Sequence, residues 1–211
     1  MKLASQHTLN VHVPDSNSGG PTTKKSETRQ TKKTKKKAAK KASLWMPRES
    51  HTKMVGLYAK ARSDPRQHAR TPPWIFERLH KQLGFTIDGA ADVESKLLPR
   101  YWDADDNFLS RSWEGECVYL NPPFCLANQS IEKASFEYEA HGVTTAILLY
   151  AKTAGRALRT AIAAGVSLRS FERRMAYLPA PGVTFSSPNR DSMLLVFKAG
   201  HPRLFCFEDL Y

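Results

Sequence analysis

The clearest hydrophobic pattern along the chain predicts an amphipathic helix near residue 80. Ile75, Leu79 and Leu83 recur four residues apart, a spacing that places their side chains on one face of a helix. Two prolines stand just before this stretch, and Gly84 stands directly after it. Proline is common at the start of a helix and glycine just past its end. We therefore predict a helix over 74–83 that buries one face.

Short apolar runs alternate with helical patterns along the rest of the chain. Runs of four to eight apolar residues bounded by turn residues are typical of buried strands. Strands that alternate with helices indicate an α/β fold with a mostly parallel sheet. The predicted strands are 85–88, 117–120, 143–150, 166–171, 192–197 and 204–207, and the predicted helices among them are 128–141 and 153–164.

The N-terminal part has a different composition. Residues 1–53 carry 13 Lys and Arg against three acidic residues, which gives +10 of the total net charge of +12. A dense block over 32–41 repels itself and buries no core, so we predict a disordered basic tail over 1–53. Such a tail can neutralise phosphates or act as a nuclear address, or it can simply be solvated. We predict a linker over 54–70 and one folded domain over 71–211.

The remaining composition bears on the cellular compartment. Cys117, Cys125 and Cys206 form an odd set without CxxC spacing, which argues against a disulfide framework or a zinc site. The N-terminal residues lack the apolar core of a secretory signal, and no run is long enough to span a bilayer. We therefore expect an intracellular protein without a membrane partner, in the nucleus of a eukaryote or otherwise in the cytoplasm (of the host, for a phage protein).

The strongest chemical signal is Asn121-Pro122-Pro123-Phe124, directly after the apolar run 117–120. In open α/β sheets, active loops lie beyond the carboxyl ends of the strands. Two prolines stiffen this loop, which presents an amide side chain, the Pro122 carbonyl and an aromatic ring. The amide oxygen and the carbonyl could accept both hydrogens of an exocyclic base amine and favour the positive charge that develops on attack. Phe124 could stack on a base that has left the double helix.

These residues resemble the (Asp/Asn)-Pro-Pro-(Tyr/Phe) motif of amino-methyltransferases. Further segments occur in the order seen in phage-type DNA N6-adenine methyltransferases, and the resemblance covers about residues 70–198. The segments are Thr71-Pro72-Pro73-Trp74, Phe85-Thr86-Ile87-Asp88-Gly89-Ala90-Ala91-Asp92, Asp106-Asn107-Phe108-Leu109, Trp113 and Asn121-Pro122-Pro123-Phe124.

The resemblance implies a Rossmann-like class I methyltransferase sheet, S-adenosylmethionine as the methyl donor and DNA as the partner. It implies that Asn121, Pro122, Pro123 and Phe124 form the catalytic loop. Cofactor contacts would come from Asp88, Gly89 and Ala90 at the methionine end, from Thr71 and Pro72 in the preceding loop, and from Asp106 or Asn107 near the adenosine.

The sequence also departs from the usual pattern of these enzymes. Only 33 positions separate Asp88 from Asn121, so we expect an abbreviated sheet there. The cofactor loop is Asp-Gly-Ala-Ala-Asp rather than a glycine-rich turn, and position 124 is Phe rather than the commoner Tyr. The chain leaves no room for a separate target-recognition domain, which predicts a short or weak sequence preference.

Several alternatives stay open at this point. The same loop could act on cytosine N4 or on RNA, because it recognises an amine on a flat ring and not one particular base. A protein glutamine methyltransferase uses a similar loop, and an inactive DNA-binding relic would retain the fold. Asp103, Asp105 and Asp106 lack the spacing of a calcium loop, so we interpret them as a solvated turn and predict no metal site.

Overall fold

A mixed six-stranded sheet organises the described part of the chain. The structure is a computed structural model that describes residues 45, 47, 49–64, 67, 69–151, 154–179, 182–184, 190–201 and 205–208. The strands lie side by side in the order β1-β2-β3-β5-β4-β6. Their bounds are β1 Ile87–Asp88, β2 Cys117–Leu120, β3 Thr144–Tyr150, β4 Ser167–Phe171, β5 Ser192–Phe197 and β6 Phe205–Glu208.

Five of the six strands run in the same direction. β1 pairs with β2, β2 with β3, and β4 with β6 in parallel, whereas β5 lies antiparallel between β3 and β4. Parallel strands need crossover connections; the helix Ala127–His141 supplies the one between β2 and β3, whereas the described residues between β1 and β2 contain no helix. The mostly parallel α/β sheet expected of a Rossmann-like fold is therefore confirmed, with one reversed strand inside it.

Helices cover both faces of the sheet. They are α1 His51–Ser63, α2 Pro73–Leu83, α3 Ala127–His141 and α4 Arg156–Ala163, with a 3₁₀ turn at Phe124–Leu126. Side chains of β2 alternate between the two faces: Val118 and Leu120 pack in the cluster that includes residues of α1, α3 and α4, whereas Tyr119 packs with α2. Burial of each large apolar side chain stabilises the fold by about 2 kcal/mol.

Helix α2 agrees with the prediction from the spacing of its apolar residues. Ile75, Leu79 and Leu83 are all buried against the sheet. The helix begins with Pro73, and Gly84 ends it at φ 71°, in the left-handed region that glycine enters at little cost. The remaining predicted helices and strands also form, with bounds shifted by up to three residues. The largest shift is at α4, which begins at Arg156 because Gly155 adopts φ 126°.

The segment 54–70, which the sequence pattern indicated as a linker, instead contains most of α1. Ser50 caps this helix by accepting a hydrogen bond from the Lys53 N–H. Met54 and Ala61 are buried in the core, and Trp45, ahead of the helix, packs partly against the same core. A helix with only two buried positions gives a weak hydrophobic period, which explains why its sequence did not indicate a helix. The predicted tail over 1–53 lies outside the described residues up to residue 44, and its last three residues, 51–53, belong instead to α1.

The connection from β1 to β2, residues 89–116, contains no helix and no full strand. Arg100 and Trp102 exchange backbone hydrogen bonds with Asp88 along the outer edge of β1. The sheet is thus extended by a single bridge at this edge. This geometry agrees with the abbreviated sheet expected from the short separation of Asp88 and Asn121.

Candidate functional site

A cavity opens at the carboxyl ends of β1 and β2. Asp88 is the last residue of β1 and pairs with Tyr119 of β2, so Asn121 follows at the same edge of the sheet. The cavity has a volume of about 180 Å³. Its lining comes from three stretches of chain, within 58–71, 88–108 and 119–126. Of the residues predicted for the site, Thr71, Asp88, Ala90, Asn107, Asn121 and Pro123 line this cavity.

Asn121 lines the cavity and carries an acceptor without a partner among the described residues. Its Nδ2 donates a hydrogen bond of 2.7 Å to the main-chain carbonyl of Ala69. Its Oδ1 is buried and has no hydrogen-bond partner among the described residues. Ala69 is itself held in place, because its neighbour Arg70 exchanges two backbone hydrogen bonds with Leu178. A buried acceptor without a partner costs about 1–3 kcal/mol, so this arrangement is typical of a site that receives a donor.

The rest of the Asn121 loop divides between the cavity and its neighbourhood. Pro122 is buried, and Pro123 lines the cavity and precedes the 3₁₀ turn. Phe124 is outside the cavity lining. Its ring stacks on Tyr150, the last residue of β3, with centroids 3.9 Å apart. The loop therefore contributes Asn121 and Pro123 to the cavity lining and an aromatic ring that stacks on the last residue of β3.

Asp88 places a buried carboxyl group in the cavity wall. Only 3% of the residue is exposed, and burial raises the pKa of its carboxyl to about 6. The backbone N–H of Leu97 donates to its Oδ2 and partly offsets this rise. No ion pair involves Asp88 within the described residues. At pH 7 the group is mostly ionised, so it offers an unpaired negative charge to a cationic ligand group.

Gly89 and Ala90, which follow Asp88, differ in their surroundings. Gly89 is buried outside the cavity lining, and a Cβ there would lie 2.8 Å from a Leu120 methyl and 2.9 Å from a Val118 methyl. The glycine thus permits close packing of β1 on β2. Ala90 lines the cavity, where its small side chain leaves space.

Thr71 lines the cavity, whereas Pro72 does not. The Thr71 hydroxyl is buried and forms a 2.6 Å hydrogen bond with the hydroxyl of Tyr119. Burial raises the pKa of that phenol well above its usual value, so it stays neutral. Pro72 is outside the cavity lining and accepts backbone hydrogen bonds from the first turn of α2. Its place is structural, at the start of the helix that supports Thr71.

The two residues predicted near the adenosine, Asn107 and Asp106, also differ in whether they line the cavity. Asn107 lines the cavity and accepts a hydrogen bond from Tyr58 through its Oδ1. Asp106 is outside the lining, and its carboxylate pairs with Arg111 and accepts from the Asp103 N–H. Asp103 in turn accepts backbone N–H groups two and three residues ahead, as in an Asx turn. Within the described residues, no three His, Cys, Asp or Glu side chains gather as metal ligands.

Sequence reasoning missed the contribution of the segment before Thr71. Tyr58, Arg62 and Gln67 all line the cavity. Arg62 donates to Asp105 and to the Ala104 carbonyl, so α1 contacts the 103–107 loop at two points. Gln67 accepts from the N–H of Cys125, which directly follows the Asn121–Phe124 loop. Nothing in the local pattern marked these side chains, because their partners lie more than 40 residues away.

A family model described as "DNA N-6-adenine-methyltransferase (Dam)" matches residues 59–205, which include the whole cavity except Tyr58. Comparison with curated proteins gave no match. None of the described helices combines the length and apolar character needed to cross a bilayer.

Proposed function

Because the chain belongs to the DNA N-6-adenine-methyltransferase (Dam) family, it methylates N6 of adenine in DNA, and we propose that Asn121 and its neighbours perform this transfer with S-adenosylmethionine as the methyl donor. The observation that carries the proposal is the buried, unpartnered Oδ1 of Asn121 at the cavity wall.

Asn121 is proposed to hold the reacting amine. The N6 lone pair of adenine is delocalised into the ring, so the amine is a weak nucleophile. Acceptors aimed at its two hydrogens favour a tetrahedral nitrogen and stabilise the positive charge that develops on methylation. The hydrogen bond from Nδ2 to Ala69 supports this role, because it fixes the amide and leaves Oδ1 without a partner among the described residues. The Pro122 carbonyl is the proposed second acceptor, and the methylated amine releases one proton to water.

The cavity suits the proposed donor. When bound, S-adenosylmethionine supplies a methyl group that is activated by a positively charged sulfur. The Asp88 carboxylate can accept its ammonium group, since this carboxylate is buried and has no cationic partner among the described residues. Trp102 and Phe108 offer apolar surface and Asn107 offers an amide for the nucleoside part. Thr71 and Ala90 complete the proposed contacts at the methionine end.

The remaining proposed residues shape the site or contact the base. Gly89 allows β1 to pack closely on β2, and Pro72 precedes the first residue of α2. Asp106 supports the turn that presents Asn107 rather than contacting the donor, since its carboxylate is engaged by Arg111. Pro123 limits the freedom of the catalytic loop, and Phe124 is proposed to stack on the extruded base.

The test combines labelled methyl transfer with a product assay. Purified protein is incubated with tritiated S-adenosylmethionine and unmethylated plasmid, and the nucleosides are separated by mass spectrometry. We expect N6-methyladenine from the wild type, none from Asn121→Ala, and unchanged product from Asn128→Ala, an exposed asparagine on α3. Full activity of Asn121→Ala would refute the assignment. Cofactor binding measured by calorimetry should survive in the Asn121 variant.

We further propose that the enzyme recognises a short DNA sequence. It would act in the cellular compartment that contains this DNA. The described chain forms one sheet with its covering helices, and nothing in it resembles a second domain that would read a long site. Mapping of methylated adenines on the plasmid tests this proposal. Methylation confined to sites of about six or more defined base pairs would contradict it.

A further inference from the structure

Three aromatic rings form a closed triangle beside the catalytic loop. Phe124 stacks on Tyr150 with centroids 3.9 Å apart and an interplanar angle of 25°. Tyr177 meets both rings edge-on, at 6.3 Å from Phe124 and 5.7 Å from Tyr150. Every ring of this Phe124–Tyr150–Tyr177 triangle therefore contacts the other two.

The two tyrosines of the triangle are held by the sheet, whereas Phe124 belongs to the loop. Tyr150 ends β3 and pairs with Ser192, the first residue of β5. The buried Ser192 hydroxyl donates to the Tyr177 hydroxyl over 3.2 Å, which ties the second tyrosine to the same strand pair. Phe124 is the only member that comes from the catalytic loop, and its side chain has no polar atom to fix the ring.

These contacts allow Tyr150 and Tyr177 to fix the orientation of the Phe124 ring. A ring that stacks on a base must present its plane in one orientation, and a phenylalanine on a short 3₁₀ turn can rotate about its side-chain bonds. Offset-stacked and edge-on aromatic contacts each contribute about 0.5–1.5 kcal/mol beyond burial. Two such contacts hold the Phe124 ring against rotation.

We propose that Tyr150 and Tyr177 are positioning residues that orient the Phe124 ring for stacking on the extruded adenine. The inference rests on the proposed function of Phe124. The two tyrosines act through Phe124: they lie outside the cavity lining, so the affinity for the methyl donor does not depend on them.

A double-mutant cycle tests this coupling. Tyr150→Leu should lower kcat/KM for DNA roughly tenfold, which corresponds to the loss of one aromatic contact, and leave the dissociation constant for S-adenosylmethionine unchanged. Tyr150→Phe keeps the ring and should restore activity. In a Phe124→Leu background, Tyr150→Leu should cause no further loss, because the ring that it orients is already absent. Losses that multiply in the double variant would overturn the proposal, as would a fully active Tyr150→Leu.

A second measurement does not depend on activity. With ring-labelled phenylalanine, nuclear magnetic resonance reports the motion of Phe124, whose signal is identified by its loss in Phe124→Leu. The ring should be ordered in the wild type and mobile in Tyr150→Leu, whereas Tyr138→Leu, which removes a half-buried tyrosine packed on Phe197, should leave it ordered. Unchanged Phe124 motion in Tyr150→Leu overturns the positioning role. An ordered wild-type ring together with no methylation of DNA would instead refute the proposed function.

Discussion

The hydroxyl of Tyr58 donates a 3.0 Å hydrogen bond to Oδ1 of Asn107 and joins helix α1 to the 103–107 loop in the cavity lining. Asn107 has φ 50° and is the only non-glycine residue with a positive φ among those described. Asparagine tolerates this conformation better than most residues, but the conformation still needs support from its surroundings. The hydrogen bond from Tyr58 and the contacts of Arg62 with the same loop supply that support.

Loss of the Tyr58 hydroxyl should weaken the binding of S-adenosylmethionine in the cavity without unfolding the protein. We expect Tyr58→Phe to lower the affinity for S-adenosylmethionine about fivefold, because one hydrogen bond of about 1 kcal/mol no longer holds Asn107. Calorimetric titration measures this change, and Tyr138→Phe, outside the cavity lining, serves as the control. An unchanged affinity would show that the loop holds its conformation without α1.

The affinity for the donor should depend on pH through Asp88. The pKa of its carboxyl is raised to about 6, so the carboxylate that accepts an ammonium group is lost as the pH falls through this value. We expect the affinity for S-adenosylmethionine to fall about tenfold from pH 7 to pH 5. Asp88→Asn should bind weakly with a flat profile over that range, and the same slope in both proteins would exclude Asp88 as the titrating group.

The same pKa shift predicts a dependence of stability on pH. The folded protein binds the Asp88 proton more tightly than the unfolded chain, where the pKa is near 3.8. The resulting stabilisation is present below about pH 3.8 and is lost as the pH rises through about 6. The difference in free energy of unfolding between wild type and Asp88→Asn should therefore change between pH 4 and 7. Urea denaturation at several pH values measures it, and a constant difference would contradict the shift.

Two glycine substitutions should have opposite effects on stability. Gly89→Ala places a methyl group within 3 Å of Leu120 and Val118, and such overpacking costs about 1–3 kcal/mol. Gly56→Ala lies inside α1, with no atom of the described residues within 4 Å of the new methyl group, and should stabilise the protein by about 0.5–1 kcal/mol. Denaturant unfolding of both variants checks the two signs, and a stable Gly89→Ala would mean that β1 can move away from β2.

The end point of an N-terminal deletion should decide whether the domain stays intact. The Trp45 ring packs on Phe136, and Lys133 lies 4.9 Å over it, while Ser50 caps α1. We expect a chain that starts at residue 45 to unfold at nearly the wild-type temperature, and one that starts at residue 54 to unfold several degrees lower. Equal melting temperatures for the two deletions would show that Trp45 and Ser50 add no stability.

The shorter deletion, which starts at residue 45, also tests the basic tail. If the tail contacts phosphates, its removal flattens the salt dependence of DNA binding.

The sequence by itself determined the elements whose signals are local. The spacing of Ile75, Leu79 and Leu83 predicted α2, and the apolar run 117–120 followed by Asn121 predicted a strand that leads into a polar loop. The order of the motifs predicted the family, since a motif is a property of the chain alone. The alternation of strands and helices predicted a mostly parallel sheet, because parallel strands need crossover connections.

Only the tertiary structure decided which residues surround the cavity and how each is held. The contact of Asn121 with Ala69 spans 52 positions and that of Tyr58 with Asn107 spans 49, and no local periodicity encodes such pairs. Helix α1 escaped prediction because it buries only Met54 and Ala61, so its sequence resembles that of an exposed segment. The packing of Gly89 against β2 and of Phe124 against Tyr150 likewise depends on strand order, which folding sets through the burial of both faces of the sheet.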